Sequence, residues 1–168
     1  MNTVHFHLLL NHFPVIGTLM GSCLLLWGII KKQVHTKNMA AAILGLMAII
    51  AVPVYLTGEP AEEAVENLPG VSEAIMELHE EAAGIAIWLM GITGILALVA
   101  VILSWKNHLA AGIIFTITFV ASVICFAAMA RTGYYGGQIR HTETGAARIM
   151  NQQNEKQEGN KAKEKDDD

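Results

Sequence analysis

The stretch Phe13–Ile30, FPVIGTLMGSCLLLWGII, decides the fold of this chain, because its 18 residues include no Asp, Glu, Lys or Arg. As an α-helix this run is about 27 Å long, close to the thickness of the hydrocarbon core of a bilayer. No basic segment precedes it, and Lys31 and Lys32 follow it. A secretory signal peptide has a basic start and a small-residue cleavage site. We therefore predict a retained transmembrane helix.

Three further runs have the same uncharged, apolar character: 39–56, 82–105 and 109–130. The whole chain is 53% hydrophobic and 15% charged, whereas soluble domains average roughly 25% charged residues. In lipid every backbone polar group must be hydrogen-bonded internally, so four such runs mean four helices. We predict an all-α, integral membrane four-helix bundle of up-down-up-down topology. The expected spans are 13–30, 39–56, 79–105 and 109–131.

The C-terminal segment has a different composition, rich in Gln, Asn, Lys and Glu, and it ends in three aspartates. Such a segment cannot bury a core and is expected to be disordered. We therefore divide the chain into a transmembrane domain, 1–148, and a polar tail, 149–168. Cys23 and Cys125 lie inside apolar runs, which argues against a disulfide scaffold or a thiolate metal cluster. The absence of a C-x-x-C-H motif argues against covalent c-type haem.

Local signals mark the helix ends. Arg131-Thr132-Gly133 is expected to end the fourth helix, with a glycine-rich stretch after it. Glu59–Glu63 predicts a short surface helix, because proline suits a first turn and acids favour the positive end of the helix dipole. Ser72 is the expected N-cap of the third long helix. Gly17 and Gly21 form a G-x-x-x-G, which allows close helix approach.

The basic residues of the loops predict the orientation. The first and third turns carry lysines, and the second loop carries none: Lys31, Lys32, Lys37 and Lys106. Short loops rich in Lys and Arg stay in the cytoplasm. Both termini and the glutamate-rich loop are then expected outside the bacterial cytoplasmic (inner) membrane. Three arginines on that outer side run against this bias: Arg131, Arg140 and Arg148.

This topology collects five of the seven histidines in the outer layer: His5, His7, His12, His79 and His141. His12 and His79 come from different helices at similar depth, and facing imidazoles in helix bundles hold haem iron or another metal. A single interfacial histidine is more often a simple polar cap. For the pair we favour a functional role, because ionisable groups at the membrane boundary are costly.

We predict His12 and His79 as the axial ligands of a non-covalent haem b, since both lie within about one helical turn of the apolar boundary. Bis-histidine ligation suits electron transfer, because it leaves no open coordination site. His7 and His141 are the next candidates, as a second pair that would hold a second haem or as hydrogen-bond partners.

Two features near this pair of histidines, a helix face and two arginines, each have two interpretations. The helix face after His79 is small, and it offers room for a macrocycle or serves simple helix packing; its residues are Ala82, Ala83 and Ala86, followed by Ile87. Arg131 and Arg140 are expected to pair with haem propionates or, equally, with the glutamates of the outer loop.

Three motifs together resemble a bacterial family of four-helix membrane proteins of unknown function. They are His7…His12-Phe13-Pro14, His79 at the start of the third helix, and Thr132–His141 (TGYYGGQIRH). Family members begin with HPxxVHFP and end with TGxxGGxLVYxHG, and the resemblance covers 5–145. Here Leu8 stands in place of the first proline, and Glu143 occupies the position of the family's last histidine. The resemblance implies haem-binding histidines and a link to respiratory electron transfer.

We therefore interpret the chain as a cytochrome-like, b-type haem protein that transfers electrons at the outer face of the membrane. The alternatives are a haem-free structural or assembly subunit and, ranked last, a metal or proton transporter, because mid-membrane charges are absent. No nucleophile, phosphate-loop or zinc-protease motif indicates catalysis, so enzymatic activity is left open. Besides the lipid bilayer, the partner candidates are a quinone or a respiratory complex; no nucleic acid is expected.

Overall fold

The computed structural model describes residues 3–66, 68 and 71–139. The described part is helical, without strands, and its helices are α1 (Thr3–Leu10), α2 (His12–Ile30), α3 (Val34–Leu56), α4 (Gly58–Glu63), α5 (Glu73–Trp105) and α6 (Ala111–Gln138). Four spans are long and apolar enough to cross a membrane: Val4–Ile30, α3, α5 and α6. The predicted all-α four-helix membrane bundle is confirmed. The tail 149–168, Arg140 and His141 lie outside the described residues.

The third and fourth spans, α5 and α6, extend further than predicted at the end of the bundle that includes α1. α5 already starts at Glu73, and α6 continues to Gln138. The prediction that Arg131-Thr132-Gly133 ends the fourth helix is therefore wrong. Glycine costs about 1 kcal/mol in a helix interior relative to alanine. Packing of α6 along α5 offsets this cost, and the Ser72 N–H donates to the Ile139 carbonyl at 3.0 Å.

The first span is divided by a one-residue turn at Asn11. Pro14 lies in the first turn of α2, where its missing N–H leaves no hydrogen bond unmade. The residues before this turn are also helical, which the sequence did not predict, and α1 leans on α3. Its His7 Nδ1 lies 3.1 Å from the Val54 carbonyl oxygen.

The short surface helix predicted from Glu59–Glu63 is present as α4. Its buried Ala61 anchors it, and α4 contacts α1, α3 and α5 at the end of the bundle. Ser72 does precede α5, in extended conformation, but its side chain makes no capping hydrogen bond. Its carbonyl accepts from the Ile75 and Met76 N–H groups instead.

Small residues and hydroxyls join the spans. Gly17 and Gly21 face Met47 and Leu44 of α3, and a Cβ at Gly21 would lie 2.8 Å from Leu44 Cδ2. The predicted role of the G-x-x-x-G in close approach is confirmed. α2 and α6 are joined by a hydrogen bond of 2.8 Å between Ser22 and Ser122, and both side chains are buried.

Candidate functional site

A cavity of about 650 Å³ lies at one end of the bundle and is bounded by all six helices. We call this end the histidine end, because His7, His12 and His79 line the cavity. Its volume lies within the range typical of small-molecule and cofactor sites, roughly 300–1,000 Å³. The wall is mostly apolar. It includes Ala83 and Ala86, whereas Ala82 is buried and does not line the cavity. The small face after His79 thus serves both helix packing and the cavity wall.

His79 is held by α6. Its Nδ1–H donates to the Thr132 carbonyl at 2.9 Å. The ring lies directly against the backbone at Gly136, where a Cβ would be 3.0 Å from His79 Cε1. The other ring nitrogen, Nε2, lies 4.0 Å from Glu62 Oε1, which is too long for a hydrogen bond. His79 is thus fixed between α6 and α4.

His7 is held by α3. Its Nδ1 lies 3.1 Å from the Val54 carbonyl oxygen and 3.3 Å from Thr57 Oγ1. Because a carbonyl only accepts, the Nδ1–H donates to Val54 and Nε2 carries the lone pair. The ring also lies beside Gly58, where a Cβ would make an ordinary van der Waals contact with His7 Cε1 at 3.7 Å.

His12 is exposed, and its Nδ1–H donates to the carbonyl of Leu8, four residues earlier at the end of α1, at 3.1 Å. All three histidines that line the cavity therefore donate Nδ1–H to a backbone carbonyl, which leaves Nε2 as the basic nitrogen. Metal-ligating histidines are usually oriented in this way. The same bond also satisfies a polar ring in apolar surroundings. This geometry therefore suits a metal ligand and equally suits a structural histidine.

The charged side chains that line the cavity in the described part of the chain are carboxylates: Glu59, Glu62 and Glu80. Burial raises the pKa of Glu62 to about 7, and the nearby carboxylates of Glu80 and Glu59 act in the same direction. A carboxyl group with a raised pKa thus lies 4.0 Å from Nε2 of His79.

Asn11 adds an unpaired polar atom to the wall. Its Oδ1 is buried and has no hydrogen-bond partner among the described residues, and Asn11 lines the cavity. A buried polar atom without a partner is costly, by about 1–3 kcal/mol. A donor on a ligand, or a water molecule, would remove this cost.

The other predicted site residues are not brought into the cavity. Arg131 lies on α6 at the same end, exposed, with its guanidinium 5.5 Å from the centre of the Tyr135 ring, and it does not line the cavity. Arg140 and His141 lie outside the described residues. His35, in the first turn of α3, and His108, in the turn between α5 and α6, lie at the opposite end, as predicted from the topology. Within the described ranges, no group of three or more His, Cys, Asp or Glu is placed to hold a metal ion.

Four contributors to the site were missed by sequence reasoning: Asn11, Glu62, Thr132 and Gly136. Thr132 acts through its carbonyl, which any residue would supply, so its side chain carries no signal. Gly136 had a signal, because a glycine inside an apolar helix often marks a close approach.

Comparisons with known proteins leave the site to be interpreted from its geometry. The resemblance to a bacterial membrane family stays a prediction. No family model matches the chain, and neither a curated protein nor a solved structure matches it.

Proposed function

We propose that this membrane protein binds a non-covalent b-type haem in the cavity at the histidine end and transfers electrons there. One observation carries the proposal: His7, His12 and His79 line a single cavity of about 650 Å³, and each donates Nδ1–H to a backbone carbonyl. Imidazoles from different helices can bind iron from opposite sides of a flat macrocycle. The bound haem would supply a one-electron Fe(III)/Fe(II) couple.

His12 and His79 remain the proposed axial pair. Nε2 of His12 has no hydrogen-bond partner in the described part of the chain. Nε2 of His79 faces Glu62 at 4.0 Å, so ligation by His79 requires the Glu62 side chain to turn away. His7 is the alternative partner, because it lines the same cavity and is fixed across two helices.

The remaining walls fit the macrocycle better than its propionates. Ala83, Ala86 and Gly133 leave space for a flat ring. Propionates are anionic, whereas the charged groups that line the described walls are carboxylates. The proposal therefore directs the propionates out of the cavity, toward Arg131, whose guanidinium can pair with them bidentately. Arg140 stays a predicted second partner and lies outside the described residues.

The proposed location is a bacterial cytoplasmic membrane with both termini outside. Two lysines at the end opposite to the cavity contact aromatic rings: Lys31 lies 5.0 Å from the centre of the Trp27 ring and Lys37 lies 5.1 Å from that of Phe115. Lysines and aromatic side chains together are typical of a membrane interface, and lysine-bearing turns favour the cytoplasmic side.

Haem content tests the proposal. The protein, purified from haem-replete cells, should give a sharp reduced-minus-oxidised haem spectrum. His12→Ala and His79→Ala should each strongly reduce bound haem per protein, because each removes an axial ligand. His35→Ala and His108→Ala are the matched controls at the opposite end and should keep it. Full haem occupancy in the double variant lacking His12 and His79 would transfer the assignment to His7 and His141.

A second candidate function is the binding of a neutral, lipid-soluble quinone or quinol in the same cavity. The observation that favours it is the buried, unpaired Oδ1 of Asn11, in a wall whose charged groups are carboxylates. A quinol hydroxyl can donate to this oxygen, and a neutral ring meets no repulsion from Glu59, Glu62 or Glu80.

Extraction separates these functions. A quinone in the organic extract of colourless protein, lost in Asn11→Leu and kept in Asn38→Leu, supports the second candidate. Asn38 is the matched control, because its Oδ1 is also buried and unpaired among described residues, and it does not line the cavity. Protein without haem or quinone favours the structural or assembly subunit.

A further inference from the structure

We infer that the ligand enters the cavity sideways from the membrane, through a gap between α2 and α6. This lateral gap is bounded by His12 and Ile16 on one side and by Ala130, Gly133 and Gly137 on the other. The inference rests on the proposed function, in which the cavity binds haem. It adds the route and the phase from which haem arrives.

Side-chain hydrogen bonds join α2 to α6 up to the level at which the cavity begins. Ser22 and Ser122 are hydrogen-bonded at 2.8 Å, and closer to the histidine end the Thr18 hydroxyl lies 3.9 Å from the Met129 sulfur. Met129 already borders the cavity. Beyond this level both helices contribute residues to the cavity wall.

Each of the two helices packs mainly against another neighbour. α2 packs mainly against α3, and α6 packs mainly against α5. At the histidine end α6 is also joined to α5 by the bond from His79 to the Thr132 carbonyl, 2.9 Å. Residues of α2 and α6 at this end line the cavity between these two pairs.

The rim on α6 consists of very small residues. Ala130, Gly133 and Gly137 are exposed and also line the cavity. A Cβ built at Gly133 or at Gly137 would meet no atom within 4 Å. On the facing rim, Ile16 lines the cavity and is 54% exposed. The rim of α6 therefore carries no side chain large enough to close the gap.

The physical setting makes this gap an entrance. At the outer boundary of a membrane-spanning bundle the exposed faces of α2 and α6 meet lipid, so the opening faces the bilayer interface, with the exposed Arg131 beside it. A haem is a largely apolar disc that partitions into the bilayer, and it would meet the exposed His12 at the rim before the less exposed His79. An entrance from the aqueous side would instead lead past Glu59 and Glu62 of α4, whose carboxylates repel anionic propionates.

The test measures hemin uptake by haem-depleted protein in liposomes of neutral phospholipid, followed by the absorbance of ligated haem. Gly133→Leu should slow uptake at least about tenfold, which corresponds to about 1.4 kcal/mol of added barrier. Gly91→Leu is the matched control, because Gly91 is also exposed, also has no atom within 4 Å of a built Cβ, and does not line the cavity. Its uptake rate should equal that of the unaltered protein.

Ile16→Ala keeps the test decisive if leucine at position 133 disturbs binding itself. A wider gap should speed uptake, with the rate normalised to the final haem content of each protein. Equal rates in Ile16→Ala, Gly133→Leu and the unaltered protein, with normal final haem, would overturn the lateral gap and leave the haem proposal standing. No uptake by the unaltered protein, either in liposomes or in detergent, would overturn the haem proposal itself.

Discussion

His79 lies directly against the backbone of Gly136: a Cβ at position 136 would be 3.0 Å from Cε1 and 3.2 Å from Nδ1 of the imidazole. Since Nδ1 also donates to the Thr132 carbonyl, α6 fixes both the position and the tautomer of this histidine. A helix that continues through a glycine-rich stretch therefore forms part of the candidate site in addition to a membrane span.

Gly136→Ala should weaken ligand binding, because the added methyl group displaces the imidazole from its bond to Thr132. We expect a several-fold loss of bound ligand per protein. Alanine stabilises a helix by about 1 kcal/mol relative to glycine, and the contact with His79 should reduce this gain at position 136. Thermal unfolding in detergent measures the change in stability. Gly91→Ala is the control, because a Cβ there meets no atom within 4 Å. Equal stabilisation and unchanged binding in both variants would show that the contact with His79 does not matter.

The Ser22–Ser122 hydrogen bond should couple α2 to α6. Interhelical hydrogen bonds in membrane proteins contribute about 0.6 kcal/mol on average, up to about 1.7 kcal/mol. Ser22→Ala and Ser122→Ala should each lower the free energy of unfolding by such an amount, and the double variant should lose less than the two losses added. Thr116→Ala serves as the control, because this exposed hydroxyl bonds only the Gly112 carbonyl of its own helix. Strict additivity would mean that the two serines do not interact.

Stability should depend on pH through Glu62. Burial raises its pKa from 4.5 to about 7 in the folded protein, so the folded state binds this proton more tightly than the unfolded state. Its contribution favours folding at low pH and is lost as pH rises from about 4.5 to about 7.

Glu62→Gln should remove this part of the pH dependence and stabilise the ligand-free protein at pH above 7, because no buried charge then forms. Chemical unfolding across this pH range measures it. Glu73→Gln is the comparison, since Glu73 is exposed on α5 and does not line the cavity. A slope that persists unchanged in Glu62→Gln would assign it to other groups.

Thiol labelling tests the predicted orientation, in which both termini lie outside. A cysteine at position 35, in a background without Cys23 and Cys125, should resist an impermeant thiol reagent added to intact cells. A cysteine at position 63, on the exposed side of α4, should react. Labelling at position 35 from outside would reverse the topology and place the cavity on the cytoplasmic side.

Much of the architecture is readable in the chain because hydropathy is a local property. An uncharged run such as Phe13–Ile30 must form a helix in lipid, whatever its neighbours do. The close approach at Gly17 and Gly21, the surface helix at Glu59–Glu63 and the clustering of His7, His12 and His79 at one end follow from spacing and topology. None of these required knowledge of how the helices pack.

The site itself depends on packing. α6 continues through its glycines to Gln138, with α5 packed beside it. Glu62 meets His79 because α4 folds over the end of the bundle, and no local pattern predicts that pair. The cavity lies among all six helices, with His7 held by α3 and His79 by α6. Such a space is set by the relative placement of helices distant in the chain, through contacts that hydropathy and spacing do not encode.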